Sequence, residues 1–215
     1  MIKAIIFDLD GLIVDSEPIH YKAHKMALEK YGIKLSKKDY LQFGVARGSK
    51  FFYETIGNKQ NIKLDIPTVQ KIKRVYFTDF IKTDVKLRDD FDKLIPNFYG
   101  KYKLAIASST KKEIIELILK KFELAKYFDL IVSGEEVKNN KPNPDIYIET
   151  AKKLGVSVVD CLVIEDSQSG LIAAKKAGMK CIAIPNDFTK FQDFSKVDLI
   201  LTSVDELNLD VVSGL

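Results

Sequence analysis

Short unbroken apolar runs, each closed by polar residues and followed by a helical pattern, recur along this chain. Ala4-Ile5-Ile6-Phe7 precedes Asp8, Leu104-Ala105-Ile106-Ala107 precedes Ser108, and Leu162-Val163-Ile164 precedes Glu165. Apolar residues without alternation mark strands covered on both faces, as in parallel sheets. Strands alternating with helices are the grammar of a doubly wound α/β domain. Leu130-Ile131-Val132, Cys181 to Ile184 and Leu199-Ile200-Leu201 read as further strands. Helices are predicted over Asp89–Phe98, Lys111–Phe122, Asp145–Leu154 and Gly170–Ala177.

The stretch from about Pro18 to Thr83 has a different period. It holds no convincing strand, but Ile19, Ala23, Met26 and Ala27, and later Val69, Ile72, Val75, Tyr76 and Phe80, recur at helical spacing. Pro18 suits the first turn of a helix. Gly32-Ile33 ends that helix, and Ser36-Lys37-Lys38-Asp39 starts the next. The expected architecture is α/β: a doubly wound, mostly parallel, Rossmann-like core of residues 1–15 and 84–215, with an all-helical insertion at 16–83 that has the character of a mobile lid. Linkers are expected at Leu12–Ser16 and Lys82–Lys86.

Composition narrows the partners. With 215 residues and 46% hydrophobic content, the chain can bury one α/β core and a small appendage. A net charge of +4, with Lys and Glu interspersed, gives little support to nucleic-acid or membrane binding. Cys161 and Cys181 lie in or beside apolar strands and read as core residues rather than a disulfide or metal pair. Asp8 and Asp10 interrupt the first apolar run before it reaches signal-peptide length, and no transmembrane stretch follows. A cytoplasmic monomer is expected.

The candidate chemistry lies at strand ends, where open α/β sheets bind ligands. Asp8 and Asp10 are alternate residues that can face one pocket, and Gly11 lets the chain turn behind them. Ser108-Ser109 and Glu165-Asp166 sit at two further strand ends, and Asn140-Lys141-Pro142-Asn143-Pro144-Asp145 is a proline-stiffened loop carrying one lysine. Thr110-Lys111-Lys112-Glu113 fits a capping box, a role assigned here to Thr110. Asp166 alone could be a helix cap, but its pairing with Glu165 at a strand end argues for more.

The ordered set Asp8-Leu9-Asp10-Gly11-Leu12-Ile13-Val14-Asp15-Ser16-Glu17, Ser108-Ser109, Lys141-Pro142 and Glu165-Asp166-Ser167 resembles the motifs of the haloacid dehalogenase-like superfamily. Its phosphatase and β-phosphoglucomutase-like branch is the nearest, and the resemblance spans nearly the whole chain. It implies an aspartyl-phosphate enzyme with Asp8 as nucleophile and Asp10 as general acid and base. It further implies Ser108, Ser109 and Lys141 as phosphate ligands, and a metal held by Asp8, the Asp10 carbonyl and Asp166 with help from Glu165. Hard oxygen donors without histidine or cysteine point to Mg²⁺ rather than zinc. The insertion corresponds to a helical cap.

The substrate is expected to be a small phosphorylated metabolite such as a sugar phosphate, with hydrolysis as the first reading and β-phosphoglucomutase-type transfer as the alternative. The resemblance puts Glu17, His20 and Arg47 of the cap toward substrate. His20 is otherwise read as a solvated surface residue, and the aromatics Phe51, Phe52 and Tyr53 as cap core. Phe43 stands where mutases usually carry a lysine, which weakens the mutase reading. Dehalogenation is disfavoured by Asp10, since those enzymes lack the second aspartate. A non-catalytic binding protein is disfavoured because all the mutually repelling carboxylates are retained.

Overall fold

A computed structural model describes residues 1–45 and 48–215. The chain divides into two compact units, one of Met1–Asp15 with Lys86–Leu215 and one of Ser16–Val85.

In the first unit, β1 (Ala4–Phe7), β2 (Lys103–Ser108), β3 (Leu130–Ser133), β4 (Cys161–Glu165), β5 (Lys180–Ala183) and β6 (Leu199–Ile200) form one sheet among the described residues. Every pairing is parallel, in the order β3-β2-β1-β4-β5-β6. This is a doubly wound α/β core, as the unbroken apolar runs require. All of β1 and β4 is buried. One face of the sheet, including Ile6, Ala105, Ala107 and Val163, packs with Ile146, Tyr147, Ala173 and Ala174. Phe7 points to the opposite face, where it meets Phe91 and Phe128 edge-on at 5.5 and 6.1 Å between ring centroids. Burial of each such aromatic ring contributes about 1.5–3 kcal/mol.

The second unit contains α1 (Glu17–Glu29), α2 (Lys37–Phe43), α3 (Ser49–Lys59) and α4 (Ile66–Thr83). Pro18 occupies the first turn of α1. Ser36 caps α2 by accepting from the Asp39 backbone N–H at 3.0 Å. Phe52 and Tyr53 are buried with His24 and Tyr40 in an aromatic cluster, whereas Phe51 is exposed. The apolar stripe of α4 differs from the sequence reading: Val69, Phe77 and Ile81 are buried and Val75 is exposed. Lys73 completes that four-residue spacing, its ammonium lying 4.1 Å from the Phe77 ring. A long charged side chain that lays its stem along an apolar seam hides the seam from a hydrophobic count.

The core helices are α5 (Phe91–Leu94), α6 (Lys112–Lys121), α7 (Asp145–Leu154), α8 (Gln168–Lys176) and α9 (Leu209–Ser213). The helix expected over Asp89–Phe98 is reduced to α5 and a 3₁₀ turn at Ile95–Asn97, because Asp89 and Asp90 adopt positive φ (44° and 53°) and Pro96 cannot continue an α-helix. The strand expected at Leu199–Leu201 stops at Ile200, and α9 beyond it was not foreseen. Cys161 and Cys181 are free and buried, as core residues should be.

Candidate active site

Phe7 of β1 is level with Ile106 of β2 and Ile164 of β4. One step further along each strand, Asp8, Ala107 and Glu165 therefore arrive at the same height on the carboxyl edge. The strand order reverses at β1, with β2 and β3 to one side and β4 to β6 on the other. Such a switch point opens a crevice at the sheet edge. The Asp8 N–H donates to Ile164 O at 3.0 Å, continuing the β ladder one residue past β1. Gly11, at φ 80°, turns the chain back. A Cβ there would lie 2.3 Å from Asp166 Oδ2, so the loop comes this close to the fourth motif only because residue 11 is glycine.

Lys141 joins three elements. Its ammonium donates to Asp8 Oδ1 at 2.5 Å, Glu165 Oε1 at 2.7 Å and Ala107 O at 3.0 Å, which uses all three of its protons. The side chain is only 6% exposed, and Glu165 is fully buried. Glu165 also accepts from Tyr147 OH at 2.6 Å, from the backbone N–H groups of Asp166 and Ser167, and from Ser167 Oγ. Space for this carboxylate comes from Gly170 on α8, where a Cβ would lie 1.7 Å from Glu165 Oε1. Asp166 does not cap α8; Ser167 does, accepting from the Gly170 N–H at 3.2 Å.

The charges are strongly coupled. Burial raises the Asp8 carboxyl, the Lys141 charge opposes that, and repulsion from Glu165 and Asp10 reinforces it, leaving Asp8 pushed up to about 8. Burial also acts to raise Glu165 and to lower Lys141. For these two the ion pair and its hydrogen bonds outweigh burial, so Glu165 is held below its ordinary value and Lys141 above. Buried carboxylates outnumber the ammonium here, and a bound divalent ion would invert the pressure on Asp8. Asp8, Glu165 and Asp166 each offer a carboxylate oxygen, all within 4.8 Å of one another. This hard, all-oxygen donor set fits Mg²⁺.

Asp10 faces the end of β2. Its Oδ2 accepts from Thr110 Oγ1 at 2.6 Å and from Ser108 Oγ at 3.2 Å, and Ser108 Oγ in turn accepts from the Thr110 N–H at 3.0 Å. Ser108 is buried and Ser109 exposed. Thr110 is not the helix cap that its sequence suggested. Residue 111 takes the N-cap position of α6 without a side-chain cap, and the Thr110 hydroxyl is directed to Asp10 instead.

Within the helical unit, Glu17 Oε2 accepts from Tyr40 OH at 2.8 Å. His20 is half-buried rather than solvated: its ring stacks on Phe77 at 4.2 Å, and its Nδ1 lies 2.8 Å from the Lys73 ammonium. A lysine can only donate, so Nδ1 accepts. Arg47 lies outside the described residues.

Sequence reasoning missed Tyr147, Arg88 and Asn186. Arg88 donates to the carbonyls of Gly11 at 2.6 Å, Ile184 at 2.7 Å and Pro185 at 2.8 Å. Asn186 donates to Asp166 Oδ2 at 2.7 Å. Asn186 follows β5 at the same carboxyl edge that singled out the other residues, so its position was the available signal; nothing local marked Tyr147 or Arg88.

Comparison with known proteins agrees with this geometry. A profile of haloacid dehalogenase-like hydrolases matches residues 5–184. A phosphorylated carbohydrates phosphatase of Thermotoga maritima is 33% identical over 84% of this chain and 83% of its own. The crystal structure of CbbY from Rhodobacter sphaeroides in complex with phosphate superposes with a TM-score of 0.87 at 28% identity, covering 99% of this chain and all of its own (100%). The β-phosphoglucomutase of Clostridium difficile superposes with a TM-score of 0.83 at 26% identity, covering 100% of this chain and 96% of its own. The chain thus belongs to the haloacid dehalogenase-like hydrolases, in their phosphatase and β-phosphoglucomutase-like branch.

Proposed function

We propose that the protein is a Mg²⁺-dependent phosphomonoester hydrolase acting on a small sugar-phosphate-like metabolite through an aspartyl-phosphate on Asp8. One observation carries this reading: Asp8, at the switch point of the sheet, is held by Lys141 at 2.5 Å beside two further buried carboxylates. The similarity to a phosphatase of phosphorylated carbohydrates favours a sugar phosphate.

Asp8 and Asp166 would hold the ion by their side chains and Asp10 by its carbonyl, while Glu165, already accepting several hydrogen bonds, acts by fixing Lys141. Bound Mg²⁺ supplies charge neutralisation, which allows one anion to approach another. Asp8 attacks phosphorus as the bond to the leaving oxygen breaks, and Asp10 gives its proton to that oxygen. Asp10, now a carboxylate, takes a proton from water as the water attacks phosphorus, and the bond to Asp8 breaks to release phosphate. Ser108 and the Ser109 backbone N–H offer donors to the phosphoryl oxygens, and Lys141, its protons held by Asp8, Glu165 and Ala107 O, contributes positive charge beside them. The helical unit would serve as the cap, and Glu17, His20 and Arg47 remain its candidates for substrate recognition.

Phosphate release from a panel of sugar phosphates with Mg²⁺ tests the reading. Asp8→Asn should abolish release with the fold intact, and Asp10→Asn should slow alkyl esters more than aryl esters. Clean conversion of β-glucose 1-phosphate to glucose 6-phosphate without phosphate release would favour the mutase instead.

A further inference from the structure

We infer that Asn186 is a positioning residue that fixes the metal-binding carboxylate of Asp166 against the Asp8–Gly11 loop. The inference rests on the metal reading above and adds a residue to it.

The orientation of the Asn186 amide follows from its partners. Oδ1 accepts from the Phe188 N–H at 2.8 Å and the Thr189 N–H at 3.2 Å, an Asx turn at the exit of β5. Both of those partners can only donate, so the other end of the amide must be the NH₂. That end donates to Asp166 Oδ2 at 2.7 Å and to Gly11 O at 3.2 Å. The amide thereby meets four partners, matching its two protons and its carbonyl lone pairs. The turn is closed again by Thr189 Oγ1, which accepts from the Asn186 N–H at 3.0 Å, and the Thr189 side chain is buried.

The NH₂ group thus bridges two segments far apart in sequence: the turn after Asp10, and the residue after Glu165. Arg88 secures the same joint by donating to Gly11 O and to the two carbonyls just before Asn186. Closeness is enforced from the other side, since a Cβ at Gly11 would stand 2.3 Å from Asp166 Oδ2 and 2.7 Å from Asn186 Nδ2. An amide proton on one carboxylate oxygen fixes the rotation of that carboxylate. Outer hydrogen bonds of this kind typically tune metal affinity by about ten- to hundredfold.

The test is Mg²⁺ alone, titrated into the full chain and followed by calorimetry and by the shift in melting temperature. Asn186→Ser keeps a side-chain oxygen able to close the turn but cannot reach Asp166; Asn186→Ala is the second variant. Thr189→Val disturbs the same turn and leaves the amide protons in place. The inference expects both Asn186 variants to need about ten- to hundredfold more Mg²⁺, with Thr189→Val close to wild type. It is overturned if either folded Asn186 variant binds Mg²⁺ as tightly as wild type, or if Thr189→Val loses as much. Absence of any Mg²⁺ response in the wild type would instead remove the metal reading itself, and this inference with it.

Discussion

Thr110 donates its hydroxyl proton to Asp10 Oδ2 at 2.6 Å, and Ser108 reaches the same oxygen at 3.2 Å. Two donors on one carboxylate oxygen fix the side chain proposed to deliver the proton to the leaving group. A hydrogen bond of this kind contributes about 0.5–1.5 kcal/mol. Thr110→Val should therefore lower kcat about tenfold on alkyl phosphates, with a smaller loss on aryl phosphates, whose leaving oxygens need less help. Thr110→Ser should restore most of the loss. Equal losses on both ester types would separate Thr110 from proton delivery.

Lys141 stands between Asp8 and Glu165 with its side chain only 6% exposed. Lys141→Met would leave two buried carboxylates without their partner, at a cost of about 3–5 kcal/mol. Urea unfolding of the metal-free protein should show that loss, and a variant as stable as wild type would contradict the geometry.

Gly170 is required by the bulk of a neighbour rather than by its own backbone. A methyl group there would overlap Glu165 Oε1 at 1.7 Å. Gly170→Ala should destabilise the core by about 1–3 kcal/mol as Glu165 is displaced. Because Glu165 orients Lys141, activity should fall even at temperatures where the variant is fully folded. Thermal unfolding and phosphate release measured on one preparation would check both effects.

These residues show what was legible in the sequence. Buried parallel strands read directly, because a strand covered on both faces has no polar alternation to blur it, and each delivered its polar residues to one edge. Asp8, Glu165 and Asp166 meet there because the register of β1 and β4 brings strand ends to one height. Thr110 was misread as a cap because a threonine ahead of a lysine-rich helix start satisfies a local rule, whereas its partner Asp10 is distant in sequence. Asn186, Arg88 and Tyr147 stayed hidden for the same reason: their hydrogen bonds cross the fold. The α4 stripe was misplaced because Lys73 occupies a buried-seam position with a polar letter.

His24 gives the helical unit a pH dependence. Burial holds its imidazole well below the ordinary value of 6.5, and the nearby charges of Lys73 and His20 act in the same direction. The unfolded chain takes up a proton at His24 near that ordinary value, while the folded chain resists it. The contribution is therefore complete above 6.5 and is lost as pH falls through it, at about 1.4 kcal/mol per pH unit. His24→Gln should remove that part of the slope in urea unfolding measured on both sides of 6.5. A variant with an unchanged slope would refute it.

The central claim is that Asp8 carries the phosphoryl group. Acid quenching of the enzyme during turnover with Mg²⁺ and a sugar phosphate, followed by peptide mass spectrometry, reads this directly. The account predicts one added phosphoryl group on the peptide containing Asp8, lost on treatment with hydroxylamine and absent from Asp8→Asn. A phosphoryl group on another residue, or continued turnover by Asp8→Asn, would contradict it.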